Sequence, residues 1–176
     1  EQAKAETVLN EFKRYEIEKI EKSKNIDITE EYLRDTISKP GELQKELENY
    51  IRRNTSLDPD VFVKVKPFLN ERVESIIKLQ LIDQIEDILK SQLTKEIKRL
   101  EQEHRNLSQD YKKQLDVIKK IDNDLKKPKD DDDKKALELR KTVADKEKDE
   151  LLDKLNKTED LQNKYDDRLR ELTKSA

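Results

Sequence analysis

Cysteine, methionine and tryptophan are missing from this chain altogether, and it has one glycine (Gly41), one histidine (His104) and four prolines (Pro40, Pro59, Pro67 and Pro128). Without cysteine there is no disulfide, no thiolate metal ligand and no cysteine nucleophile. A single glycine cannot build a phosphate-cradling loop. One histidine with no thiolate beside it cannot complete a zinc centre, and a Ser/His/Asp relay would have to rest on His104 alone. No run approaches the roughly 18 to 20 apolar residues that cross a bilayer, and no charged-then-apolar leader opens the sequence. The residues therefore predict neither an enzyme nor a cofactor. Because the chain starts at Glu1 and lacks methionine, it reads as a segment of a longer protein.

What is present is charge. Of the 176 residues, 46% are charged and 32% hydrophobic, yet 39 basic side chains against 42 acidic ones leave a net charge of only −3. The two signs interleave, which describes solvated helix faces and not a nucleic-acid footprint. Each exposed ion pair contributes only about 0.3 to 0.5 kcal/mol. The scarcity of turn residues and the abundance of Glu, Lys, Leu, Ile and Gln predict an all-α chain.

Two parts are expected: residues 1–66 as short N-terminal helices and 67–176 as a long helical hairpin. In the first part, Ala5, Val8, Leu9, Phe12, Tyr15, Ile17 and Ile20 mark one amphipathic face. Thr29 is a candidate N-cap for a short helix with Tyr32, Leu33 and Ile37. Lys39-Pro40-Gly41 ends it, and Leu43, Leu47, Tyr50 and Ile51 define a third helix ending near Asn54. Asp58-Pro59 suggests a cap and first helical position, with a kink at Pro67. The competing reading of Val61, Phe62, Val63 and Val65 as a strand is weaker, because a lone strand would have unpaired edges.

The long part has a seam through Ile85, Leu89, Leu93, Ile97, Leu100, His104, Leu107, Tyr111, Leu115, Ile118, Ile121 and Leu125. Eleven steps cover 40 residues, a mean of about 3.64, which predicts nearly straight packing. The run DLKKPKDDDDKKA then breaks the pattern, with the turn near 127–134, Pro128 ending one helix and Asp133 capping the next. A returning helix carries Leu137, Val143, Leu151, Leu155, Leu161, Tyr165, Leu169 and Leu172. Folded back, Leu161 falls near Leu100 and Leu155 near His104. An open linker in place of the hairpin is the alternative.

The candidate seam is Leu100, His104, Leu107 and Tyr111 against Leu151, Leu155, Leu161 and Tyr165. Upstream, Ile76, Ile77, Leu81, Ile82, Ile85, Ile88 and Leu89 make an apolar face too wide for one partner, and these are the candidate contacts of a homo-oligomer, a dimer or tetramer with the look of a helical bundle. Packing of the same face by the N-terminal helices is the competing reading. His104 reads as a polar seam residue that sets register, in preference to a pH sensor. Asp130–Asp133 lacks the spacing and glycine of a calcium loop and reads as a solvated tip. Lysine pairs such as Lys112-Lys113 and Lys119-Lys120 are diluted by neighbouring aspartates, so membrane contact is weak or absent.

Three function classes follow: an oligomerisation and scaffolding module, a membrane-binding module of the crescent type, and the coiled-coil arm of a larger tethering or chromosome-associated machine. The seam Ile85 to Leu125, the turn Pro128 to Lys135 and the return Leu137 to Leu172 resemble the coiled-coil region of fungal mitofilins, inner-membrane proteins that organise crista junctions. The resemblance implies a spacer in the mitochondrial intermembrane space that self-associates antiparallel to bridge membranes, with other subunits of a membrane-organising complex as partners and no active-site residues.

Overall fold

The computed structural model describes residues 2–54 and 58–175. It is 93% helical, with no strand among the described residues. The helices are α1 (Gln2–Ser23), α2 (Ile26–Ser38), α3 (Glu42–Asn54), α4 (Pro59–Arg72), α5 (Lys78–Leu125) and α6 (Asp131–Ser175), and a π turn at Val73–Ile77 joins α4 to α5 in one 67-residue helix. The all-α class and the hairpin follow the sequence pattern. Of the stretch 55–67, residues 55–57 lie outside the described residues and 59–67 is helical, not a strand.

Local chemistry sets the boundaries. α1 ends where Lys24 takes a left-handed φ of 51°, a conformation that a side chain disfavours by about 1–2 kcal/mol. Asn25 then caps α2: its Oδ1 accepts from the backbone N–H of Asp27 at 2.9 Å and of Ile28 at 3.2 Å. Thr29, the residue expected to cap, is instead fully buried inside α2, where its hydroxyl donates to the Asn25 carbonyl at 3.0 Å. Asparagine, extended and four residues earlier, satisfies the orphan amides first. Gly41 has φ +85° with open space where a Cβ would lie, so conformation and not room calls for glycine. Asp58 accepts from Asp60 N–H at 3.0 Å, with Pro59 opening α4 as the sequence suggested. α4 continues through Pro67, and the departure from α-type hydrogen bonding falls at Val73–Ile77.

The chain divides into two compact units, Glu1–Leu93 and Thr94–Ala176. The division expected at 66/67 is displaced into α5, because α1 packs against α2, α3, α4 and the π turn, and α3 also meets the π turn. In the first unit every fourth residue from Leu69 to Leu93 is buried: Leu69, Val73, Ile77, Leu81, Ile85, Leu89 and Leu93. A stripe stepping by four drifts around a 3.6-residue helix, so it shows successive faces to different neighbours. Opposite it lie Ala5, Leu9, Phe12 and Ile20 of α1 and Leu43, Leu47 and Ile51 of α3. Polar straps cross the outside: Arg72 Nε and Nη2 both reach Glu6 Oε1, at 3.1 and 2.8 Å, and Lys13 Nζ donates to Gln80 at 2.9 Å.

The second unit is the antiparallel pair of α5, from Thr94, with α6. At the turn, Lys126 and Lys127 N–H bond back three residues, to Asn123 and Asp124, tightening the end of α5. Asp130, not Asp133, is the N-cap: its Oδ1 accepts from Asp133 N–H at 2.7 Å, and its carbonyl accepts from Lys134 N–H at 3.1 Å. Asp133 reaches back to Lys129 N–H at 2.9 Å, so the two aspartates brace the corner reciprocally. Asp131, Asp132 and Asp133 in the first turn of α6 favour its positive dipole end.

Candidate functional site

The hairpin seam is more polar and more regular than the sequence suggested. From Ile97 to Leu125 a buried and half-buried line runs through Ile97, Leu100, His104, Leu107, Tyr111, Gln114, Ile118, Ile121 and Leu125 in alternating steps of three and four, with Glu103, Ser108 and Asp122 half-buried beside it. Leu115 is exposed and Gln114 takes its place. On α6 the line runs through Leu137, Lys141, Ala144, Lys148, Leu151, Leu155, Thr158, Gln162, Tyr165, Leu169 and Leu172, with Asp133, Asp145, Leu161, Asp166 and Arg168 half-buried beside it, while Val143 points away. Both lines average 3.5 residues per step, a heptad repeat, so the seam follows a left-handed supercoil. The expected mean of 3.64 blended this repeat with the four-residue steps of the first unit.

Two contacts fix the pairing. Gln114 Nε2 donates to the Ala144 carbonyl at 2.9 Å, and Lys141 Nζ pairs with Asp122 at 2.7 Å. Lys141 leans towards the N-terminus of its own helix, as helical side chains do, and that direction is the turn where Asp122 lies. The hydrogen bond and charge of Asp122 hold the Lys141 pKa above its ordinary value. With Gln114 level with Ala144, Ile121 falls level with Leu137, Leu107 with Leu151 and Leu100 with Thr158. His104 stands within a residue of level with Leu155, whereas Leu161 is level with Ile97, three residues beyond the expected Leu100. Leu100 and Leu155 are buried; His104, Leu107, Tyr111, Leu151, Leu161 and Tyr165 are half-buried.

Of the oligomer candidates, Ile77, Leu81, Ile85 and Leu89 are buried within the chain and cannot present a face to another copy. Ile82 and Ile88 are half-buried, and Ile76 stays exposed next to Leu79. The wide face is thus largely spent on the first unit's own core.

A buried carboxylate, missed by the sequence reading, lies in that unit. Glu16 is 0% exposed and sits on the α1 core line between Phe12 and Ile20, whereas Tyr15, expected on that face, is exposed. The Tyr32 hydroxyl donates to Glu16 Oε2, and Lys19 Nζ lies 3.3 Å from Oε1 and 3.8 Å from Glu46. Burial, then the charge and hydrogen bond of Glu16, push the Tyr32 pKa far above its ordinary 10.0. A cleft of about 110 Å³ beside it is lined by Tyr32, Asp35, Thr36, Glu42, Leu43 and Glu46. Both Glu16 oxygens are engaged, so the cluster is a structural lock and not a free acid or base. Its only sequence signal was spacing, four residues from Phe12 and four from Ile20.

An apolar groove lies on the hairpin. Val117 and Ile121 of α5 and Leu139, Arg140, Val143 and Glu147 of α6 line a groove over Gln114 and Ala144. Leu139 is 67%, Val143 51% and Val117 44% exposed. Among the described residues, no group of three or more His, Cys, Asp and Glu is placed to hold a metal ion, and no helix is long and apolar enough to cross a membrane. Comparison with protein-family models, curated proteins and solved structures finds no match.

Proposed function

We propose that this chain is a structural oligomerisation and scaffolding module that works as a helical spacer and has no catalytic role. In line with the mitofilin-like pattern, its setting would be membrane bridging at crista junctions. The observation that carries the reading is the hairpin's apolar flank, Val117, Leu139 and Val143, left open on a pair of helices whose seam is itself only part-buried. Two helices shield one stripe between them, and an additional apolar stripe gains its transfer free energy only against further helices. Interleaved charges keep the remaining faces soluble and provide no continuous basic surface for lipid or nucleic acid.

Sedimentation equilibrium at micromolar concentrations tests the proposal. The expected result is a mass at least twice that of the chain; a monomer throughout would sink the scaffolding reading. Strong, salt-sensitive flotation with anionic liposomes would replace it with the membrane-binding class.

A further inference from the structure

We infer that the α5–α6 flank centred on Val143 is a two-fold interface for a second copy of this chain, docked antiparallel along α6; this rests on the self-association reading and specifies its surface. The argument is charge self-complementarity. Arg140 and Glu147 are one heptad apart on α6, on the same side as Val143, so opposite charges bracket an apolar patch. A two-fold axis reverses the second α6 and brings Arg140 of each copy against Glu147 of the other, giving two equivalent ion pairs from one sequence feature. Among the described residues neither Arg140 nor Glu147 has an ion-pair partner, although Lys141 beside them is taken by Asp122.

Shape agrees with charge. Leu139 and Val143 project beside the groove floored by Gln114 and Ala144, and across it stands Val117. In the antiparallel arrangement the same apolar pair from the second copy enters that groove, and the four helices close into a bundle with Leu139, Val143 and Val117 in its interior. Because the interface is isologous, it closes at two copies and does not propagate into a filament.

Charge reversal isolates this surface from self-association in general. Val143→Glu should raise the dissociation constant about a hundredfold, and Arg140→Glu or Glu147→Arg alone about tenfold, since each places like charges together twice. The double variant Arg140→Glu/Glu147→Arg should return affinity to near the wild-type value, with helicity by circular dichroism unchanged throughout. If the wild-type chain associates but Val143→Glu leaves it unaffected, or the double variant is as weak as the singles, this interface is overturned while self-association stands. A monomeric wild-type chain overturns both.

Discussion

The two units use the same helical material to opposite ends. Among the described residues, fifteen apolar side chains are buried up to Leu93, but only six beyond it: Ile97, Leu100, Ile121, Leu137, Ala144 and Leu155. The first unit surrounds its central stripe with several helices, so Phe12, Leu47, Leu81 and Ile85 lose essentially all contact with water. The second has one partner per helix and tolerates Lys141, Lys148 and Gln162 in its heptad positions, because their polar ends reach solvent at the seam's edge. The lesson is that packing valence, more than composition, decides whether a helical segment becomes a closed core or a part-exposed pair.

The sharpest test of this contrast removes one leucine from each unit. Leu81→Ala should cost about 3–5 kcal/mol, because a fully enclosed cavity is left, and Leu155→Ala about 1–2 kcal/mol, because the open seam can relax and hydrate. Urea denaturation followed by circular dichroism measures both. Equal losses would mean that the hairpin seam is as sealed as the core.

Next in size is the buried lock of the first unit. Tyr32→Phe leaves Glu16 buried with one donor fewer and should cost about 1–3 kcal/mol, Glu16→Leu strands the Tyr32 hydroxyl and should cost a similar amount, and the double variant should come closer to neutral, since both partners and their desolvation go together. The tyrosine's folded pKa is raised, so its contribution is complete below its unfolded value of 10.0 and is lost as pH climbs above it. Stability of the wild-type chain should fall more steeply above pH 10 than that of Tyr32→Phe; identical alkaline profiles would place the hydroxyl outside the lock.

The smallest expected effect is at the corner of the second unit. Asp130→Ala removes the cap of α6 and should cost about 1 kcal/mol, read as a lower melting temperature, and Asp132→Ala, whose side chain has no capping bond among those described, should change little. A larger loss from Asp132 would move the cap.

The all-helical class, the stops at Gly41, Asp58-Pro59 and Pro128, and the reversal of α6 on α5 were legible because each depends on local backbone chemistry or on a regular apolar period. Less legible were Glu16, Gln114 and Lys141, whose polar character hid positions that only spacing gave away. The exchange of Leu115 for Gln114 follows from geometry: the seam keeps its heptad phase, and a glutamine with a carbonyl to bond costs less than a change of register. The fate of Ile77, Leu81, Ile85 and Leu89 was illegible for another reason. An apolar face carries no mark of whether its cover comes from the same chain or from another.

By itself the sequence determined helix type, helix ends and the existence of a turn, since these are set by propensities, caps and periodicity within a few residues. Tertiary structure alone decided which apolar stripe was enclosed, which charge went inside with partners, and which flank was left open. Those outcomes depend on how many helices meet at a point, and a one-dimensional pattern does not contain that number.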